Sequence, residues 1–106
     1  MTRSCALPRF LLIALLSVAA GVALAAWIQT DGGRIRIDDV RFSGPDGRTL
    51  SALLYVPAQA TPDTPAPAVL AVHGYINSRE TQSPLALELA RRGYVVLALD
   101  QAGHGF

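Results

Sequence analysis

Hydrophobic and polar positions divide the chain into three regimes. From Phe10 to Ile28 no residue is charged and only Ser17 is polar. As a helix rising ~1.5 Å per residue, this run reaches across a hydrocarbon core of ~30 Å. From Arg34 the pattern becomes an alternation. Ile35, Ile37, then Val40 and Phe42 stand between charges, which predicts a strand with an irregularity at Asp38-Asp39, where the phase shifts. Gly44 to Gly47 supplies a turn, with Pro45 fixing φ and Gly47 able to take φ > 0, and Leu50 to Val56 resumes as a second strand, so 34–56 is a hairpin. Pro57 to Pro67 holds four of the seven prolines and is an exposed connection. Beyond it, Ala68 to Val72 is apolar without alternation, as expected of a strand covered on both faces. Ser83-Pro84 predicts an N-cap followed by proline at the first helical position. Leu85, Leu89 and Arg92 follow with helical spacing, and Gly93 is a left-handed stop. Tyr94 to Leu99 is another buried strand. Strand, helix and strand make a βαβ unit, which crosses over right-handedly.

Composition narrows what this pattern can mean. The 106 residues carry 16% charged side chains, against ~25% in a typical soluble domain, as a chain partly outside water would. A net charge of +1 leaves no nucleic-acid footprint, and the single Cys5 excludes an intrachain disulfide scaffold. Residues 1–9 form a basic leader, 10–28 a transmembrane anchor or signal segment, 29–33 a polar tether, and 34–106 the part that folds in water. Arg3 and Arg9 before the apolar run keep the N-terminus cytoplasmic, and Trp27 sits where an interfacial aromatic belongs. Membrane lipid around residues 10–28 is then a partner, and the folded part lies outside the cytoplasm. The competing reading is secretion, with cleavage after Ala23-Leu24-Ala25 and a product beginning at Ala26. Cys5 precedes the run and so lacks the position of a lipoprotein acceptor. Ser17, Gly21 and Ala25 have the spacing of a helix-packing face, which an alanine-rich span also produces by chance.

Chemistry in an open α/β sheet gathers at the carboxyl ends of strands. Two loops stand there, His73-Gly74-Tyr75-Ile76-Asn77-Ser78 and Asp100-Gln101-Ala102-Gly103-His104-Gly105. The apolar run ending in His73-Gly74, the helix end Ala90-Arg91-Arg92-Gly93 leading into Tyr94, and Asp100 followed by Gly103-His104-Gly105 resemble the α/β-hydrolase family in order and spacing. The preceding hairpin fits the family's antiparallel opening. The resemblance implies an incomplete α/β-hydrolase sheet, made of a hairpin and one βαβ unit behind a transmembrane helix. It also implies a serine nucleophile acting on esters or related acyl bonds of a small-molecule substrate. Tyr75 would donate its backbone N–H to the oxyanion hole, with Gly74 giving it room. The resemblance further implies that the nucleophile, on a G-x-S-x-G elbow, and the acid and base of the triad come later in the family's order; no G-x-S-x-G occurs in this chain. No residue here is therefore read as catalytic, and this chain alone is expected to be inactive.

The remaining polar residues have plainer roles. His73, Asp100 and His104 belong to the candidate active-site loops: His73 as a structural imidazole bonding neighbouring loops, Asp100 as a cap for loop N–H groups, and His104 as structural or substrate-lining. Their spacing does not form a facial metal triad, and no cofactor or metal is expected. Arg79-Glu80 and Arg91-Arg92 read as solvated charges flanking the helix. The alternative to an enzyme is a non-catalytic, membrane-tethered module whose sheet edge binds another chain by strand addition.

Overall fold

The computed structural model describes residues 6–105. The expectations for Arg3 and Cys5 lie outside them. Helix α1 spans Ala6–Gln29, strand β1 Ile35–Ser43, β2 Thr49–Pro57, β3 Ala68–Val72, helix α2 Ser83–Arg91 and β4 Val95–Leu99, with a 3-10 turn at Arg79–Gln82 before α2. The four strands form one sheet in the order β1-β2-β4-β3, with β1-β2 and β2-β4 antiparallel and β3-β4 parallel. This is a mixed α/β architecture, a partial hydrolase-like sheet behind an apolar helix.

Helix α1 is long and apolar enough over Pro8–Gln29 to cross a membrane, and none of that span is buried against the rest of the chain. It ends in an ordered turn. Asp31, Gly32 and Gly33 take φ of 51°, 69° and 82°, and Gly32 N–H donates to Trp27 O at 2.8 Å while Ile35 N–H donates to Thr30 O at 2.9 Å. Asp31 also pairs with Arg91 at the end of α2, 3.0 Å away. The polar segment read as a tether is thus tied at both ends.

The hairpin forms where the alternation predicts it, and Gly47 does take φ of 77° in the turn. The irregularity expected at Asp38-Asp39 is absent. The pairing runs unbroken from Ile35 opposite Pro57 to Ser43 opposite Thr49. The break in hydrophobic phase has another cause. Asp39 lies on the same face as Ile35 and Ile37, the face α2 covers, and it is held there by a cation. Arg79 donates from Nη1 and Nη2 to the two Asp39 carboxylate oxygens at 2.9 and 3.0 Å. Arg79 was expected in solvent, yet its side chain is 6% exposed. A guanidinium is always charged, so its removal from water requires partners of this kind.

The core is built from small residues. Ala86 and Ala90 of α2 meet Tyr55, Ala71, Val96 and Ala98 of the sheet, all buried. Alanines let the helix approach closely, and the expected apolar stripe shifts accordingly: Leu85 is 54% exposed, while Leu89 packs at the core's margin. Ser83 is not the N-cap. Gln82 occupies that position, and the Ser83 hydroxyl instead accepts a bond from Tyr55 Oη at 2.9 Å. The helix stops as expected: Gly93 has φ of 94°, with Gly93 N–H on Ala90 O and Tyr94 N–H on Leu89 O, the Schellman pattern. Strand β3 was expected to be covered on both faces. Only Ala71 of it is buried, and Leu70 and Val72 are 59% and 46% exposed, because one face meets the core and the 3-10 turn and no described residue covers the other.

The Arg79 pair generates the first prediction. The Arg79 hydrogen bonds hold the Asp39 carboxyl below the usual carboxylate range. The Ser78 hydroxyl, with Arg79 behind it, does the same for Glu80. A lowered carboxyl pKa adds stability that is present at neutral pH and is lost as pH falls below about 4, through the folded-state value. Arg79→Met should destabilise the fold, because it leaves the buried Asp100 carboxylate and the half-exposed Asp39 without their cation. Arg79→Lys should recover only part of the loss, since an ammonium cannot make the two-pronged contact. Denaturant titration of the intact protein at neutral and acid pH checks this, and Asp39→Asn should flatten the acid limb.

Candidate functional site

Strands β3 and β4 run in parallel and end side by side, so the loops that follow them converge. His73 closes β3 and Asp100 closes β4, both buried, at 3% and 1% exposure. Burial forces every polar atom here to find a partner, and no buried side-chain nitrogen or oxygen among the described residues lacks one. His73 Nδ1 donates to Gly74 O at 2.7 Å, and His73 Nε2 accepts from Gln101 N–H at 3.2 Å. One donor and one acceptor is the pairing a neutral imidazole makes. Gln101 completes the link by donating its side-chain amide to His73 O at 2.6 Å. The two loops are thereby stitched together by the imidazole and the amide.

Asp100 joins the loops to the rest of the sheet. Its Oδ1 accepts the backbone N–H of Arg79 at 2.7 Å, and its Oδ2 accepts the Ser51 hydroxyl of β2 at 2.9 Å. Arg79 Nε lies 3.5 Å from Oδ2, and Arg79 Nη1 also reaches Ala52 O at 3.2 Å. The carboxylate expected to cap loop N–H groups does so, and it carries Arg79 as well. Sequence reasoning missed Arg79 and Ser51. The available signal was Asp39, an acid on the apolar face of a strand, which implies a buried cation opposite it.

Ser51, Asp100 and His73 are the residue types of a serine hydrolase triad, but their connections differ from one. A triad places the imidazole between serine and carboxylate so that it can take the serine proton. Here Ser51 is buried and donates to the carboxylate itself, while the His73 Nε2 to Asp100 Oδ1 separation is 3.7 Å. The cluster holds loops in place.

Above this cluster lies an open cleft of about 690 Å³, lined by Tyr75, Ile76, Asn77, Thr81, Gly103 and His104, among others. His104 stands edge-on to His73, with ring centroids 5.3 Å apart, and to Tyr75, at 6.3 Å. The Tyr75 side chain is 87% exposed. Gly74 O accepts the Asn77 N–H at 3.2 Å, which turns the loop, and among the described residues nothing takes the Tyr75 N–H. A Cβ at Gly74 would meet only Asn77 Nδ2, at 3.7 Å, so no neighbour among the described residues demands glycine there. Among the described residues no group of three or more His, Cys, Asp or Glu is placed to hold a metal.

Comparison with known proteins agrees with this geometry. A family described as serine aminopeptidase, S33 matches residues 63–106. A solved structure, the hypothetical protein PA2218 from Pseudomonas aeruginosa, is 33% identical over 68% of this chain, with a TM-score of 0.60. This chain spans 22% of that protein's length. No curated protein matches. With the strand order and the two strand-end loops, these findings support an α/β-hydrolase family for this chain.

The second prediction concerns the Asp100 loop. Gly105 has φ of 73°, and a Cβ there would overlap the Asp100 carboxylate. Gly103 has φ of 83° with open space around it. Gly103→Ala should therefore cost only the left-handed penalty of about 1 kcal/mol. Gly105→Ala should cost more, about 2–3 kcal/mol, because the carboxylate must also move off its Arg79 and Ser51 partners. Thermal unfolding of the two variants side by side checks the order.

Proposed function

We propose that this chain supplies the opening of a serine-type hydrolase of acyl bonds, in which the Tyr75 backbone N–H is an oxyanion-hole donor and α1 is a membrane anchor. The observation that carries the reading is the Tyr75 N–H, left without an acceptor among the described residues at the mouth of a strand-end cleft. In acyl transfer a nucleophile adds to the carbonyl carbon, and the oxygen takes up negative charge as the tetrahedral centre forms. A preorganised N–H aimed at that oxygen stabilises it without solvent reorganisation. The Gly74 carbonyl accepts the Asn77 N–H and so turns the loop around Tyr75, the His73 and Gln101 bonds hold the loop, and His104 lines the approach. The nucleophile, on a G-x-S-x-G elbow, and the remaining triad residues belong to sequence beyond Phe106. The family's description extends the expected bond from esters to amides. With α1 inserted and Arg9 on its near side, the folded part faces away from the cytoplasm, and cleavage before Ala26 would release it on the same side.

A second reading is supported by the bare edge of β3. Among the described residues no strand pairs beyond it, and an added strand from another chain could dock there, as in a non-catalytic tethered module. One experiment separates the two. The intact protein, treated with a fluorophosphonate probe and digested, should carry the label on a serine outside residues 1–106. Residues 1–106 expressed alone should hydrolyse no short acyl ester above background, since loss of triad members costs ~10⁴- to 10⁶-fold in turnover. Label on Ser51, Ser78 or Ser83 would overturn the assignment, and an intact protein that takes no label would favour the binding module.

A further inference from the structure

The anchor and the cleft sit at opposite ends of the sheet. Strand β1 begins at Ile35, where α1 and its turn deliver the chain, and it climbs to Ser43. Ile35 lies opposite Pro57, the last residue of β2, which runs back down. Strand β4 is antiparallel to β2 and climbs again, ending where Asp100 N–H donates to Ser51 O, level with Arg41. Strand β3 is parallel to β4 and ends at the same height. From Ile35 to the level of Asp100 is a rise of about 20 Å at ~3.3 Å per residue, and Tyr75 and His104 stand beyond that level.

The connection at the base is built to keep this separation. Ile35 N–H is bonded to Thr30 O, and Gly32 N–H to Trp27 O. Asp31 is paired with Arg91 at the C-terminal end of α2, the end of that helix farthest from the Arg79 turn. A Cβ at Gly32 would meet the Trp27 ring at 3.2 Å, so the turn lies against the ring. The molecule measures 69 × 33 × 22 Å, and a helix of 24 residues supplies about 36 Å of that length, so α1 leaves the body end-on. A flexible linker would let the body roll over onto the bilayer. This turn, with its bonds and its ion pair, opposes that.

We propose that the hydrolase takes its substrate from the aqueous phase, as a small water-soluble ester or amide, and does not act on lipids of the membrane that holds α1. The proposal rests on the reading of the chain as an anchored hydrolase. The cleft lining agrees with it: Asn77, Ser78, Thr81 and His104 offer hydrogen bonds and no fixed charge, in a volume of about 690 Å³ suited to a small molecule. Tyr75 and Ile76, 87% and 86% exposed, crown the far end, where they meet water or an incoming substrate.

The intact protein in phosphatidylcholine nanodiscs tests this. In a Cys5→Ser background, single Val18→Cys, Gln59→Cys and Ile76→Cys variants carry a fluorophore, and lipids bearing a nitroxide serve as the quencher. Quenching should be strong at Val18, weaker at Gln59 near the base, and lost at Ile76. Discs holding the unlabelled protein without these substitutions should hydrolyse p-nitrophenyl acetate without releasing fatty acid from their own lipid. Quenching at Ile76 equal to that at Gln59, or release of fatty acid, overturns the proposal. Absence of quenching at Val18 removes the anchor, and absence of hydrolysis of either substrate removes the enzyme. Each of those outcomes takes the proposal with it, and each is distinguishable from a site turned toward the bilayer.

Discussion

A buried guanidinium organises the site end of this fold. Arg79 cannot shed its charge, so burial obliges the surrounding chain to supply acceptors: Asp39 of β1, the Ala52 carbonyl of β2 and the neighbouring Glu80 accept its hydrogen bonds, and Asp100 at the end of β4 pairs with it at 3.5 Å. The Asp39 bonds raise the Arg79 pKa further above its already high value. The same residue's backbone N–H is bonded to Asp100. One residue therefore fixes the start of the 3-10 turn, the tip of β4 and the middle of the hairpin. Helix α2 follows directly from the 3-10 turn, so its approach to the sheet through Ala86 and Ala90 starts from that fixed point.

Most of the fold was legible because it depends on local chemistry. Alternation set the hairpin, the unbroken run Ala68 to Val72 set β3, and Gly93 set the end of α2. What was not legible depends on contacts distant in sequence. Arg79 sits in a polar stretch, Asn77 to Gln82, and resembles any exposed charge until Asp39, forty positions earlier, is brought beside it. The phase break at Asp38-Asp39 was visible, but a bulge and an acid paired with a buried cation leave the same trace in a strand's alternation. Leu85 drew the helix stripe outward because leucine outranks alanine in hydrophobicity, whereas close packing favours the smaller side chain. The exposed face of β3 follows from tertiary cover, which no run of five residues encodes.

The site was legible in its loops and less so in its wiring. His73, Asp100 and His104 do converge, and the structure gives the first two to scaffolding. Serine, histidine and aspartate meet at the strand ends, with the serine proton given to the carboxylate and the imidazole turned to a backbone carbonyl and an amide. Residue identity alone would have suggested a triad; the order of the hydrogen bonds decides otherwise. What the cluster offers to chemistry is a loop held in one shape, with the Tyr75 N–H at its tip.

The dependence of both loops on Arg79 is most directly read by hydrogen–deuterium exchange on the intact protein and its Arg79→Gln variant. If the guanidinium holds the loops, their hydrogen-bonded amides, Asn77 in one and Asp100, Gln101 and His104 in the other, lose protection together in the variant, while the β1-β2 ladder around Ile37 and Tyr55 keeps its own. Exchange that changes only in the turn at Arg79–Gln82, with both loops as protected as before, would contradict it.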